Sequence, residues 1–206
     1  MRLHGTRLAG CICLAILAQA ALSSVAIAGP ASDVIERFHA ALISSMKHAS
    51  ELGYAGRFEQ LEPAVLESHN LALIARIATG RHWRKLDSGQ QSRFANTFTQ
   101  LSISTYADRF DMFSGESFAA ISEQMLPRGD TLVRTKLTKS DGDEVQFDYV
   151  LRRMEESWKI INIIVDGVSD LALKRAEYGN ILKQDGFDAL IQMLQDKIAQ
   201  HQLGEN

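Results

Sequence analysis

The apolar positions along the chain change period twice. Up to about residue 113 they recur at helical steps. Val34, Ile35, Phe38, Ala41, Leu42 and Met46 form one stripe, which predicts a helix over residues 33–52, with Asp33 and Glu36 as a capping pair. Leu66, Leu71, Ile74 and Ile77 predict a second helix over residues 63–79, with Pro63 between it and the first. Phe94, Phe98, Leu101, Tyr106 and Phe110 predict a third over residues 87–113, unusually rich in aromatic side chains.

The period then becomes two. Residues 131–139 alternate, with Val133, Thr135 and Leu137 on one face and Arg134 and Lys136 on the other. Residues 145–153 do the same, with Val145, Phe147, Tyr149 and Leu151 opposed to Gln146, Asp148 and Arg152. Asp141-Gly142 between them is a hairpin signal. Residues 158–165 are nearly all apolar, which predicts a central strand covered on both faces. A weaker strand spans residues 118–125, and Pro127 falls between two strands. Short turns require antiparallel neighbours.

Helical spacing returns for residues 168–183, with Ser169 as a cap. In the last helix Phe187, Leu190, Ile191, Leu194 and Ile198 make a strongly amphipathic face that must rest on something apolar. Helices, then strands, then helices predict a single α+β domain with a twisted antiparallel sheet of about four strands, rather than alternating βαβ units.

The N-terminus sets the compartment. Arg2 and Arg7 precede an apolar run, residues 8–22, and Ala26-Ile27-Ala28 supplies the small residues that a signal peptidase reads. The run has 15 residues, against the ~20 needed to span a bilayer as a helix. A cleavable signal over residues 1–28 and a mature domain over 29–206 are expected. Leu8-Ala9-Gly10-Cys11 looks like a lipoprotein box, but a working box follows its apolar run and this one precedes it. Cys11 and Cys13 both lie in the leader, so the expected mature chain has no disulfide, thiolate nucleophile or cysteine-bound metal. Twenty-two basic and 25 acidic residues give a net charge of −3, and loss of Arg2 and Arg7 makes it −5. That balance does not favour nucleic acid.

Catalytic patterns are missing from the sequence. The histidines beyond the leader (His39, His48, His69, His82 and His201) show no ligand spacing and are expected at the surface or the edge of the core. Asp141-Gly142-Asp143 lacks the later ligands of a calcium loop. Asp148 is expected on a polar sheet face and Asp166 at a strand end, in structural roles. No cofactor, metal or enzymatic activity is expected. Whether the aromatic and aliphatic stripes enclose a solid core or a hollow one is not readable from spacing.

An ordered set of residues carries a resemblance. Trp83-x-x-Leu86, Gln90, Phe94, Phe98, Leu101 and Thr105-Tyr106-Ala107 come first. Val133-Arg134-Thr135, Asp148-Tyr149-x-Leu151, Trp158-Lys159-Ile160 and Asp166-Gly167-Val168-Ser169 follow, then Arg175, Tyr178 and a Gly-Phe-Asp-x-Leu segment at 186–190. Together they resemble the toluene-tolerance family of MlaC-like periplasmic lipid-binding proteins. Asn162, Leu173-Lys174-Arg175 and Tyr178 depart from its phospholipid branch, and the run from Asp166 to Tyr178 looks more like its hopanoid-associated HpnM branch.

The resemblance implies a periplasmic carrier, monomeric, that binds the apolar part of a hopanoid or phospholipid between helices and sheet. Its implied partners are an inner-membrane lipid transporter of the ABC type and an outer-membrane acceptor. The expected lining is Phe94, Phe98, Leu101, Tyr106, Val133, Leu137, Val145, Phe147, Tyr149, Leu151, Trp158 and Ile160, with Val168, Leu171, Phe187, Leu190 and Leu194 as lid or wall. Arg134 and Arg175 are open to a phosphate, a docking partner or plain solvation. Two alternatives stand: an enzyme on a similar cone-shaped α+β fold, and an interaction protein with a solid core.

Overall fold

In the computed structural model, which describes residues 30–155 and 157–204, four helices precede a sheet and two follow it. The expected leader and its cysteines lie outside the described residues.

Helix α1 (Pro30–Lys47) starts earlier than the stripe suggested, so Asp33 sits in its first turn rather than at a cap. Glu123 takes over the N-terminal role from across the fold. Its carboxylate accepts from the backbone N–H of Ser32 at 2.9 Å and from the Ser32 hydroxyl at 2.7 Å. A carboxylate there satisfies an orphan donor and complements the helix dipole.

Helix α2 (Ala49–Ser68) contains Pro63 instead of ending at it, which corrects the expected break. The interruption lies upstream at Gly53, whose φ of +59° is open to glycine at little cost. Helix α3 (Leu71–Thr79) then begins anew, with Asn70 accepting from the Leu73 N–H at 3.0 Å. A 3-10 segment (Gly80–Lys85) leads to α4 (Ser88–Arg109). A full capping box starts α4: the Asp87 carboxylate accepts from the Gln90 N–H at 2.8 Å, and the Gln90 side chain accepts from the Asp87 N–H at 3.1 Å.

The strands are β1 (Ser117–Met125), β2 (Thr131–Thr138), β3 (Glu144–Met154), β4 (Ser157–Val165) and a two-residue β5 (Val168–Ser169). They form one antiparallel sheet in the order β1-β2-β3-β4-β5. The apolar strand β4 is therefore next to the edge, not central. Short β5 covers its end, and the backbone of Asn70 donates to the Ile160 carbonyl at 2.9 Å farther along. Gly142 turns the β2–β3 hairpin with φ of +90°.

Pairing follows the period-two reading. Leu137 faces Val145, Thr135 faces Phe147 and Val133 faces Tyr149, so one sheet face carries the apolar side chains. Helices cover that face. The other carries Arg134 with Asp148 at 3.8 Å and Lys136 with Glu144 at 2.6 Å.

Helix α5 (Asp170–Gln184) is capped by the Ser169 hydroxyl, which accepts from the Ala172 N–H at 3.1 Å. Helix α6 (Phe187–Leu203) buries Leu190, Ile191 and Leu194. Phe94, Phe98 and Tyr178 interlock beside it at ring separations of 5.9–6.4 Å. Among the described residues no helix is long and apolar enough to cross a membrane.

Candidate functional site

Helix α4 has two different ends. Its first half drives Phe94 into a filled core, and Phe98 borders both that core and the space beyond it. Its second half meets the hairpin end of the sheet across a gap, a partly open cavity of about 310 Å³. That volume falls near the bottom of the roughly 300–1,000 Å³ usual for small-ligand sites.

Four groups of residues build the walls. Phe98, Leu101, Ser102, Thr105, Tyr106, Arg109 and Phe110 come from the α4 side. His69, Leu71 and Ile74 come from the start of α3, and Leu137, Phe147, Ile163 and Val165 from the sheet. Asn162, Asp170, Leu171 and Lys174 close the side next to α5. The two aliphatic hydroxyls that α4 brings to the wall are turned back on their own helix: Ser102 donates to the Phe98 carbonyl and Thr105 to the Leu101 carbonyl, both at 2.8 Å. What remains facing the space is mainly hydrocarbon.

One polar pair sits deep in this wall. The His69 Nδ1 lies 3.2 Å from the Val65 carbonyl, which can only accept, so Nδ1 carries the proton. Ser68 gives its own proton to the Ala64 carbonyl and stands 2.8 Å from the same nitrogen as a second acceptor. Nε2 is then a bare acceptor, and the Tyr106 hydroxyl donates to it at 2.9 Å. Burial pushes His69 down to about 4, partly offset by the bond to Val65, and pushes the Tyr106 phenol up. A second pair, His39 with Tyr149 at 2.8 Å, lies in the core beside Phe118, and burial lowers His39 to about 3. Both histidines are 6% exposed, which corrects their expected place at the surface or core edge. Their burial is tolerated because each ring finds a tyrosine partner.

Of the expected lining, Phe98, Leu101, Tyr106, Leu137, Phe147 and Leu171 meet at the cavity. Phe94, Val133, Tyr149, Leu151, Ile160, Leu190 and Leu194 are packed into the core away from it. Val145, Trp158 and Phe187 are half-buried and do not line the cavity, Trp158 and Phe187 packing against the core, and Val168 is 53% exposed on β5. Arg134 lies on the outer sheet face, while the Arg175 guanidinium lies over Gly80; neither borders the cavity.

Sequence reasoning missed His69, Asn162 and the charged trio Arg109, Asp170 and Lys174. Asn162 was legible only as a departure from a pattern. In the structure its side-chain oxygen accepts from the Ser169 hydroxyl at 3.0 Å and the Leu171 N–H at 3.2 Å, tying β4 to the start of α5. Among the described residues no cluster of three or more His, Cys, Asp or Glu side chains could hold a metal ion.

Comparison with known proteins settles the family. The family model described as "MlaC protein" matches residues 36–196. The chain belongs to the MlaC family. A solved structure, the phospholipid-binding protein from Ralstonia solanacearum in complex with a phospholipid, shares its fold with a TM-score of 0.72. The two are 19% identical, over 85% of this chain and 98% of that one.

Proposed function

We propose that this MlaC-family protein is a non-enzymatic periplasmic carrier. It encloses the acyl portion of a membrane phospholipid and passes it between an inner-membrane ABC-type transporter and an outer-membrane acceptor. Residues 1–28 act as the export signal, and the monomeric domain is residues 29–206.

The observation that carries this reading is the partly open apolar cavity between α3, α4, α5 and the sheet. Its walls are mainly hydrocarbon, and Arg109 in them is exposed to solvent. The phospholipid bound by the Ralstonia protein of the same fold supports the same reading. Moving a lipid through water exposes its methylenes at ~0.8 kcal/mol each, so about 15 of them cost on the order of 12 kcal/mol. A closed greasy pocket removes that barrier. The two titratable groups deepest in the wall, His69 and Tyr106, are held neutral and bonded to each other, an arrangement suited to containment rather than acid–base turnover.

A second reading, a hopanoid cargo, rests on Asn162 and Lys174. Both sit at the cavity; Asn162 departs from the phospholipid branch, and Lys174 lies in the run that looks more like the hopanoid-associated branch. One experiment decides. The protein purified from its own periplasm is measured by native mass spectrometry, and its extracted cargo is identified. A two-chain phospholipid supports the main reading and a pentacyclic triterpenoid the second. Protein that carries neither, even after incubation with vesicles of either lipid, contradicts both.

A further inference from the structure

Three charges border the cavity, one on α4 and two on α5, and they do not cancel. Arg109 from α4 and Asp170 and Lys174 from α5 are the charged residues in its wall. Lys174 reaches back one helical turn to Asp170 at 2.5 Å, which neutralises that pair. Arg109 is exposed and makes no hydrogen bond or ion pair among the described residues. It lies one turn from Tyr106 on the helix that forms the cavity wall, so a guanidinium stands where the apolar space meets water. The neighbouring carboxylate Asp108 takes a different direction, toward His201 of α6 at 3.0 Å. The opening therefore bears a net positive charge over a hydrocarbon interior.

We propose that Arg109 and Lys174 form an anion-selective mouth, so that the carrier favours lipids whose headgroups are net negative. This rests on the lipid-carrier reading above and adds a headgroup class to it. An acyl chain inside the cavity brings its phosphodiester to the opening, within reach of a planar guanidinium suited to two phosphate oxygens. Lys174 can exchange Asp170 for the same phosphate, since their ion pair is partly exposed and weakly held. A zwitterionic headgroup carries its own cation into this positive region and loses the advantage. Asp170 tempers the effect by holding Lys174.

Lipid-free protein is incubated with mixed vesicles of phosphatidylglycerol and phosphatidylcholine bearing identical chains, at low salt, and the captured lipid is extracted and counted. The expected result is phosphatidylglycerol in about fivefold excess over its share in the vesicles. Arg109→Gln should bring that ratio below about twofold, with phosphatidylglycerol capture falling more than phosphatidylcholine capture, and Asp170→Asn should raise it. Equal capture of the two lipids by the native protein, or a ratio untouched by Arg109→Gln, would overturn the selective mouth while leaving the carrier intact. Capture of neither lipid would sink the carrier reading itself. Tight binding of inorganic phosphate alone to lipid-free protein, lost in Arg109→Gln, would make this a free-anion site and overturn the headgroup assignment.

Discussion

The two halves of α4 present similar stripes to opposite fates. Around Phe94 and Phe98 the stripe meets Trp83 and Tyr178, and the rings fill the space at separations of 5.9–6.5 Å. Farther along, Leu101 and Tyr106 belong to the same apolar series, yet they border an open volume that begins at Phe98. The difference lies in the partners. The first half is faced by helices whose side chains reach it. The second is faced by the hairpin end of a twisted sheet, where Leu137, Phe147 and Val165 stop short. A close-packed region gives stability, and an under-packed one leaves room for something else.

Truncating a side chain should therefore cost very different amounts in the two halves. Phe94→Ala is expected to destabilise the fold by about 3–5 kcal/mol, since it leaves a hole in a filled core. Leu137→Ala, whose side chain already borders empty space, should cost under about 1.5 kcal/mol. Urea denaturation of both variants compares them directly. Equal losses would mean that the two regions are packed alike.

Acid probes the buried histidines. His39 and His69 have folded-state values of about 3 and about 4, below their ordinary 6.5. The unfolded chain binds protons first as pH falls, so stability is full above about 6.5 and lost through the window down to those values. Between pH 7 and pH 5 the loss should be ~2 kcal/mol per histidine. Thermal melts across this range should show it. His39→Asn and His69→Asn should each flatten the pH dependence while lowering stability at pH 7. A slope unchanged by both substitutions would contradict the neutral, tyrosine-bonded state.

Smaller effects sharpen the picture. Tyr106→Phe leaves the His69 Nε2 without its donor and should cost about 1–2 kcal/mol by the same denaturation assay. Glu123→Gln keeps the shape but removes the charge at the start of α1, and should cost about 0.5–1 kcal/mol. The loss should shrink in high salt.

The periodic parts of the fold were legible because burial imposes a period. The alternation in β2 and β3, the hairpin at Asp141-Gly142 and the Ser169 cap all follow local rules, and the structure has them. Local rules failed where a distant residue intervened. Pro63 reads as a break, yet the helix continues through it and yields at Gly53 instead. The start of α1 depends on Glu123, a residue 91 positions away. At the site, the stripe named Phe98, Leu101 and Tyr106 together with Phe94 and Leu190, because spacing tells which face is buried but not whether anything faces it. His69 was hidden for a related reason: its polarity suggested surface, and its partner Tyr106 lies 37 residues on.

Lipid recovered with Leu137→Asp and Phe147→Asp tests the hollow half most directly. Each puts a charge on the cavity wall without cutting into the Phe94 core. Quantitative extraction of the purified variants should find less than about a tenth of the lipid held by the native protein, with cooperative unfolding retained, given the several kcal/mol needed to strand a carboxylate against hydrocarbon. Variants that keep a full complement of lipid would show that the cargo does not occupy this cavity.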